Sequence, residues 1–275
     1  MKKVFFGLAC TFLVILSLAI LVAPLFWGST AYDQNTNAVL ESPGLTHWFG
    51  TDALGRDLFK RTLLGGRTSV LIGLVSAAIT FLIGFVYGAI AGWMEGKIDK
   101  VLMRLCDILM SIPSFILVSV FCLAFQSLVP SNDPHLVALV SLCFGISITH
   151  WMSLARVTRG LVMEIKRKSF IEAAIALGGN KRHIILKHVL PHVLSSLMVL
   201  VALQVPTSIL YESFMSFIGL GIHPPETSWG ILMREGWKTL SSFPYLLLLP
   251  SSILFLTVWS FHIIVDKLRS QKGAW

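Results

Sequence analysis

Charge is what this sequence has least of. Only 13% of its 275 residues are Asp, Glu, Lys or Arg, while 55% are hydrophobic and the mean hydropathy is +0.78. An ordinary soluble domain is about 25% charged. A soluble fold of this size still leaves roughly a quarter of its surface in water, so it cannot hide that much apolar area. A soluble enzyme is excluded, and so is intrinsic disorder. The chain reads as an integral membrane protein.

Reactive chemistry is scarce as well. The four cysteines, Cys10, Cys106, Cys122 and Cys143, lie in or beside apolar stretches and make no CxxC pair, so they read as small packing residues. There is no G-x4-G-K-[ST] phosphate loop; Gly66-Arg67-Thr68 is the nearest approach and lacks the lysine and the earlier glycine. A chain without that loop is not expected to bind and hydrolyse ATP. HExxH, GxSxG and Cys/His metal clusters are missing too. His183, His188 and His192 share helical spacing, but among lysines at a lipid boundary they read as interfacial or partner-contacting, with no metal expected.

What is present is long apolar runs. Six segments approach the ~20 residues a spanning helix needs: Val4–Trp27, Ser69–Trp93, Ile108–Val129, Leu136–Trp151, Val193–Leu220 and Tyr245–Val265. The first follows Lys2 and Lys3 and precedes Ser29-Thr30-Ala31, which resembles a cleavage site. Its apolar run exceeds the 7–15 residues of a signal peptide, so it reads as an uncleaved span. The net charge of +8 reads as loop bias rather than a nucleic-acid footprint. With the N-terminus inside, sixteen Lys and Arg fall on inside segments, eight of them after span four and three in the tail (Lys267, Arg269, Lys272). Six fall outside: Arg56, Lys60, Arg61, Arg67, Arg234 and Lys238. The positive-inside rule then places both termini in the cytoplasm. The four bases between spans one and two are matched by Asp33, Glu41, Asp52 and Asp57, which suggests a folded, locally neutral cap.

Within the spans, Gly84, Gly88 and Gly92 form a doubled GxxxG, a flat stripe for close helix packing. Pro113 and Pro206 are expected to kink spans three and five. Trp27, Trp93 and Trp151 sit at span ends as interfacial anchors. Glu212, late in span five, has two readings: a pathway or outer-gate residue, or a hydrogen-bonding support for the glycine-rich turn that follows. Asp107, His150 and His262 are expected close to cytoplasmic ends.

The stretch Ser153 to Pro191 is basic and patterned. Ser169-Phe-Ile-Glu172 is a capping box. Phe170, Ala173, Ala174 and Leu177 follow at helical spacing on one face, and Gly178-Gly179 stops the helix. Asn180 caps a second helix, Lys181 to Leu190, and Pro191 marks a turn into span five. Such a helix–turn–helix suits docking into a groove on a soluble partner, or lies on lipid headgroups.

Three motifs carry a family resemblance. Glu172-Ala173-Ala174, three residues, Gly178, nine residues, then His188-Val-Leu190-Pro191 resembles the EAA loop of ABC importer permeases, EAA-x3-G-x9-I-x-L-P. His188 stands where the general pattern has isoleucine and resembles the peptide-transporter branch. Gly50-Thr51-Asp52-Ala-Leu-Gly55-Arg56-Asp57 resembles the GTD-x-LGRD signature of the C-type permease subunit in dipeptide/oligopeptide/nickel importers. Glu212-Ser-Phe-Met-Ser-Phe-Ile-Gly219-Leu-Gly221, with Pro224-Pro225 and Ser228-Trp229-Gly230, is similar to that family's ES-x-LSFLGLG-x-x-PP-x-PSWG. The tail, Val265-Asp266-Lys267-Leu268-Arg269, keeps only a remnant of the family ending.

The resemblance implies an all-α membrane fold of six transmembrane helices with a cytoplasmic coupling helix. It implies a first span and outer loop over 1–67, a permease domain over 68–266 that contains the EAA loop at about 169–191, and a tail over 267–275. It further implies a non-catalytic subunit of the bacterial inner membrane, paired as a heterodimer with a second, homologous permease. Two ATPase subunits would use ATP and Mg on its behalf, an extracytoplasmic solute-binding protein would deliver cargo, and no cofactor would bind this chain. Peptides are the expected cargo, with nickel or another small solute as the alternative and a secondary transporter as the rival from another class.

Overall fold

In a computed structural model, residues 2–27, 30–129 and 133–271 are described. Ser29 of the cleavage-like tripeptide and Lys272 of the basic tail lie outside them. The chain is helical throughout its membrane part: α1 (Lys2–Trp27), α2 (Leu58–Met94), α3 (Gly96–Met110), α4 (Ser114–Leu128), α5 (Pro134–Lys166), α6 (Ser169–Ala176), α7 (Lys181–Ile184), α8 (Leu190–Ile218), α9 (Trp229–Trp237) and α10 (Tyr245–Gln271). Five of these are long and apolar enough to cross a bilayer, and the α3–α4 pair makes a sixth only if counted as one broken span.

The glycine stripe decides the central packing. A methyl group on Gly84 would lie 2.8 Å from the Trp151 carbonyl oxygen, on Gly88 2.3 Å from that of Ala155, and on Gly92 2.7 Å from that of Arg159. Successive glycines of α2 therefore meet successive turns of α5, backbone against backbone. Near the other end of α2, Gly73 makes room for Ile209 of α8. Gly88→Ala is expected to lower the thermal unfolding midpoint of the purified protein, because overpacking against backbone costs about 1–3 kcal/mol. Gly160→Ala on the open side of α5, where an added methyl meets nothing within 4 Å, is expected to leave it unchanged or raise it. Equal midpoints for the two variants would remove the stripe's role.

Four expectations need correction. Span three is not one kinked helix from Ile108 to Val129: α3 and α4 meet at an 88° break. Pro113 has no N–H to continue α3 and adopts an extended ψ of 124°. Span four does not end at Trp151, because α5 runs on to Lys166. Its bases Arg156 and Arg159 are tolerated there since they pair with Asp107 and Asp99 of α3. Trp151 is accordingly mid-helix and buried against Tyr87, not an interfacial anchor. Pro191 marks no turn, since α7 continues through a π-helical turn, Ile185–Val189, straight into α8. Leu190 N–H bonds to the Ile185 carbonyl five residues back, and this wider turn accommodates a proline that cannot donate. Pro206, by contrast, stays inside α8.

The two ends of the bundle differ. At one end lie α6, α7 and the junction of α2 with α5, where Lys166 Nζ reaches Glu95 at 3.2 Å and the Trp93 carbonyl at 3.1 Å. Lys267 over the Phe6 ring joins α10 to α1 there. At the other end, α9 and the 30–57 segment fold together over the bundle. These are called the α6 end and the α9 end below.

Candidate functional site: a docking helix and a buried polar lock

At the α6 end the helix starts from the Lys168 carbonyl, which accepts from Ile171 N–H at 3.0 Å and Glu172 N–H at 3.3 Å. The capping box does not form: the start lies one residue before Ser169, and among the described residues the Ser169 hydroxyl makes no hydrogen bond. Ile171 turns into the core with Ile165, Ile184 and Val189, and Ala174 packs against the same cluster. Ala174 is thus not on the outer face with its predicted companions. Phe170, Glu172, Ala173 and Leu177 are the exposed ones, with Leu177 at 89%. An aliphatic side chain that exposed, just past the end of a short helix, is a knob without a socket among the described residues.

Gly178 fixes the exit. Its φ of +80° is the left-handed conformation that glycine adopts most readily. Gly179 N–H then bonds back to the Ala174 carbonyl at 3.0 Å, completing a Schellman stop. Asn180 caps the next segment, its side-chain oxygen accepting from Arg182 N–H at 3.0 Å. His188 stacks edge-on to His183, its carbonyl lies 2.6 Å from His192 Nδ1, and the His192 ring meets Phe170. Leu190 is half-buried and Pro191 exposed. Helix α6 is therefore tied to the root of α8, one continuous rod that reaches the far end of the bundle.

At the α9 end, Gly50 and Gly55 take φ of +74° and +72° and fold a tight loop between them. Thr51 Oγ1 donates to the Ala38 carbonyl at 2.5 Å and accepts from Glu41 N–H at 2.8 Å. Asp52 is the centre: its carboxylate accepts from the N–H groups of Leu54 and Arg56, from Arg56 Nε at 2.7 Å and from Arg61 Nη1 at 2.5 Å. Glu235 of α9 closes the network, accepting from Arg61 Nη1 at 2.5 Å and from Arg56 at 3.3 Å. Asp57 caps α2 through Lys60 N–H at 2.9 Å and holds His47 at 2.8 Å. Asp52 and Glu235 neutralise two of the four discordant bases, Arg56 and Arg61, within the fold, while the buried Asp57 serves His47 and the α2 cap. Nearby, burial and the adjacent Glu226 carboxylate push the Tyr32 hydroxyl up to about 12, so it stays a neutral donor to Glu226.

Glu212 is fully buried on α8. It accepts from Ser216 Oγ at 2.8 Å and Ser213 Oγ at 3.3 Å, and the hydroxyls of Ser69 on α2 and Ser228 before α9 lie close by. Ser69 Oγ in turn accepts from Trp229 N–H at 3.1 Å, and Trp229 Nε1 donates to the Thr62 carbonyl at 2.9 Å. Gly219 caps α8 at φ +90°, and Gly221 and Gly230 let the turn fold onto Ser216 and Ser213. Of its two sequence readings, this geometry fits the support: Glu212 joins α2, α8 and the start of α9. Glu235 was not singled out from sequence, and Arg61, Ser69 and Ser228 stood there only as a loop base, a span boundary and part of a motif. Their partners lie far along the chain, and a single sequence carries no signal for such pairings.

His150 is another relocation. It lies midway along α5, its ring 4.4 Å from that of Tyr211, whose hydroxyl is 2.7 Å from Ser114 Oγ. Among the described residues no three His, Cys, Asp or Glu converge as metal ligands.

Residues 84–270 match the family described as the binding-protein-dependent transport system inner membrane component. The chain is 41% identical over 262 residues to the oligopeptide transport system permease protein OppC of Haemophilus influenzae, covering 94% of this chain and 81% of that protein. It is 35% identical over 268 residues to the Bacillus subtilis protein of the same name, covering 95% and 84%. It is 38% identical over 228 residues to the dipeptide transport system permease protein DppC of Bacillus subtilis, covering 82% and 68%. Among solved structures, an inward facing MetNI methionine ABC transporter aligns with a TM-score of 0.58 over 76% of this chain and 97% of that one. At 20% identity that likeness speaks for the fold.

Proposed function

This chain belongs to the binding-protein-dependent transport system inner membrane components, and on that premise we propose that it is the permease subunit through which an ATP-driven importer takes up peptides. The observation that carries the reading is the docking helix: Glu172, Ala173 and Leu177 stand exposed on a helix whose exit is fixed by Gly178 and whose root is continuous with α8. A push on that helix is passed along one rod to Glu212 and the α9 lock. Two ATPase subunits, holding ATP and Mg, supply the push. A homologous second permease completes the pathway as a heterodimer, and an extracytoplasmic binding protein delivers cargo to the α9 end. In this reading the chain itself is non-catalytic and binds no cofactor. The Lys and Arg excess orients the α6 end and both termini to the cytoplasm of a bacterial inner membrane. Peptide cargo is favoured over nickel by the peptide-permease names of the relatives at 35–41% identity.

Deletion of the chain is expected to abolish uptake of a radiolabelled tripeptide in cells, with re-expression restoring it and 63Ni uptake unchanged. Inactivating the partner ATPase should stop the same uptake while an ionophore leaves it intact. Loss of nickel uptake alone would replace the cargo, and ionophore-sensitive uptake without the ATPase would overturn the reading.

A further inference from the structure

Helix α3 divides into three stripes. Cys106 is buried toward α5, and the Leu102 carbonyl accepts from the Tyr87 hydroxyl at 2.9 Å, fixing one face to the bundle. Ile98, Val101, Leu105 and Ile108 form a second stripe of exposed aliphatic side chains at i, i+3, i+7 and i+10. Lys97, Lys100, Arg104 and Asp107 form a third at the same spacing. An amphipathic helix with a bare aliphatic stripe, bent by 88° from α4, has the pattern of a helix that rests on a membrane surface.

Beside that stripe a cleft of about 480 Å³ opens between α3 and α5, lined by Lys100, Met103, Arg104, Arg156 and Arg159 with Asp99 and Asp107. Arg156 pairs with Asp107 at 2.5 Å, and Arg159 forks onto Asp99, its Nη2 at 2.6 Å. Both carboxylates are thereby used. Among the described residues Lys100 and Arg104 make no ion pair, so the cleft holds two uncompensated positive charges. A basic pocket between helices at the membrane surface suits an anionic headgroup.

We propose that this cleft binds the phosphate of an anionic phospholipid from the surrounding leaflet, Lys100 and Arg104 supplying the charge and the two Arg–Asp pairs holding α3 at a fixed distance from α5. A phosphate ion shares that chemistry, but the aliphatic stripe beside the cleft favours a phosphate that brings acyl chains with it.

The test uses the full chain purified in neutral detergent with its co-purifying subunits. It is titrated with phosphatidylglycerol, with phosphatidylcholine of the same acyl chains, or with sodium phosphate, reading the thermal midpoint and native mass spectra. Phosphatidylglycerol is expected to raise the midpoint and persist as a bound adduct; the other two are expected to do neither. Removing one basic group near an anionic lipid weakens binding by about fivefold, so Lys100→Gln/Arg104→Gln should weaken it about 30-fold. The lipid-free midpoint should stay unchanged, because neither residue is buried. Lys97→Gln, outside the cleft, should bind like wild type. Wild-type spectra without a phosphatidylglycerol adduct, equal effects of the two lipids, protection by phosphate alone, or equal loss in Lys97→Gln each overturn the proposal.

Discussion

Asp52→Ala is expected to destabilise the protein by about 3–5 kcal/mol, the cost of removing one partner from a buried ion pair. Arg61 is 1% exposed, its Nε already lacks a hydrogen-bond partner, and Asp52 is its buried counter-charge. Glu235 remains, but at 30% exposure it shares its charge with water and compensates only in part. The same substitution frees the N–H groups of Leu54 and Arg56, opening the loop between Gly50 and Gly55. For a domain of this size the loss corresponds to a midpoint drop on the order of 10 °C. Glu235→Gln keeps Asp52 on Arg61 and should cost only about 1–2 kcal/mol. Asp52→Ala/Arg61→Met should recover part of the loss, because an unpaired buried charge costs more than an apolar replacement of the pair. Thermal unfolding of the three variants in one detergent decides the matter. A drop for Asp52→Ala no larger than for Glu235→Gln would show that the network is solvated and weak.

That network also marks where sequence reading stops. The glycine stripe of α2 was legible because GxxxG states a requirement that any close-packed partner meets. Its partner, the Trp151–Arg159 face of α5, was not, since the stripe says nothing about which helix fills it. Pro113 and Pro206 show the same division. Both lie in apolar surroundings, yet α8 runs through Pro206 while the chain breaks at Pro113. At Pro113 the backbone turns extended, and the α3 that precedes it pairs through Asp99 and Asp107 with Arg159 and Arg156, residues some 50 to 60 positions further along the sequence. Those arginines also misled the end of span four, because a base paired across helices looks like a loop base when its partner is unseen. Local conformation was easier: the left-handed exit at Gly178 follows from Gly178-Gly179 after an apolar helical run. For Glu212, the sequence identified a costly group and the alternatives for it. The hydrogen bonds from Ser213 and Ser216, with Ser69 and Ser228 close by, fit the supporting reading, and those neighbours from other helices were not visible in the sequence.

Gly178→Pro is expected to abolish ATP-driven uptake while the chain still inserts and assembles. The native φ is +80°, whereas proline is held near −65°, so the exit from α6 must be rebuilt. Proline also disfavours a helical conformation at Leu177, the exposed knob. The damage is conformational rather than steric, since a methyl group placed on Gly178 meets nothing within 4 Å. This predicts a graded series. Gly178→Asn, which tolerates the left-handed region, should retain most uptake. Gly178→Ala, strained by about 1–2 kcal/mol, should be intermediate. No spanning helix is altered, so membrane abundance and thermal midpoint should be similar across the series. What changes is the angle at which Glu172, Ala173 and Leu177 are presented, and with it the proposed transfer of an ATPase movement into α8. Tripeptide uptake measured beside ATP hydrolysis by the assembled complex separates the possibilities. Hydrolysis retained with uptake lost in the proline variant is the signature of uncoupling. Normal uptake by that variant would remove α6 from the path of energy transfer.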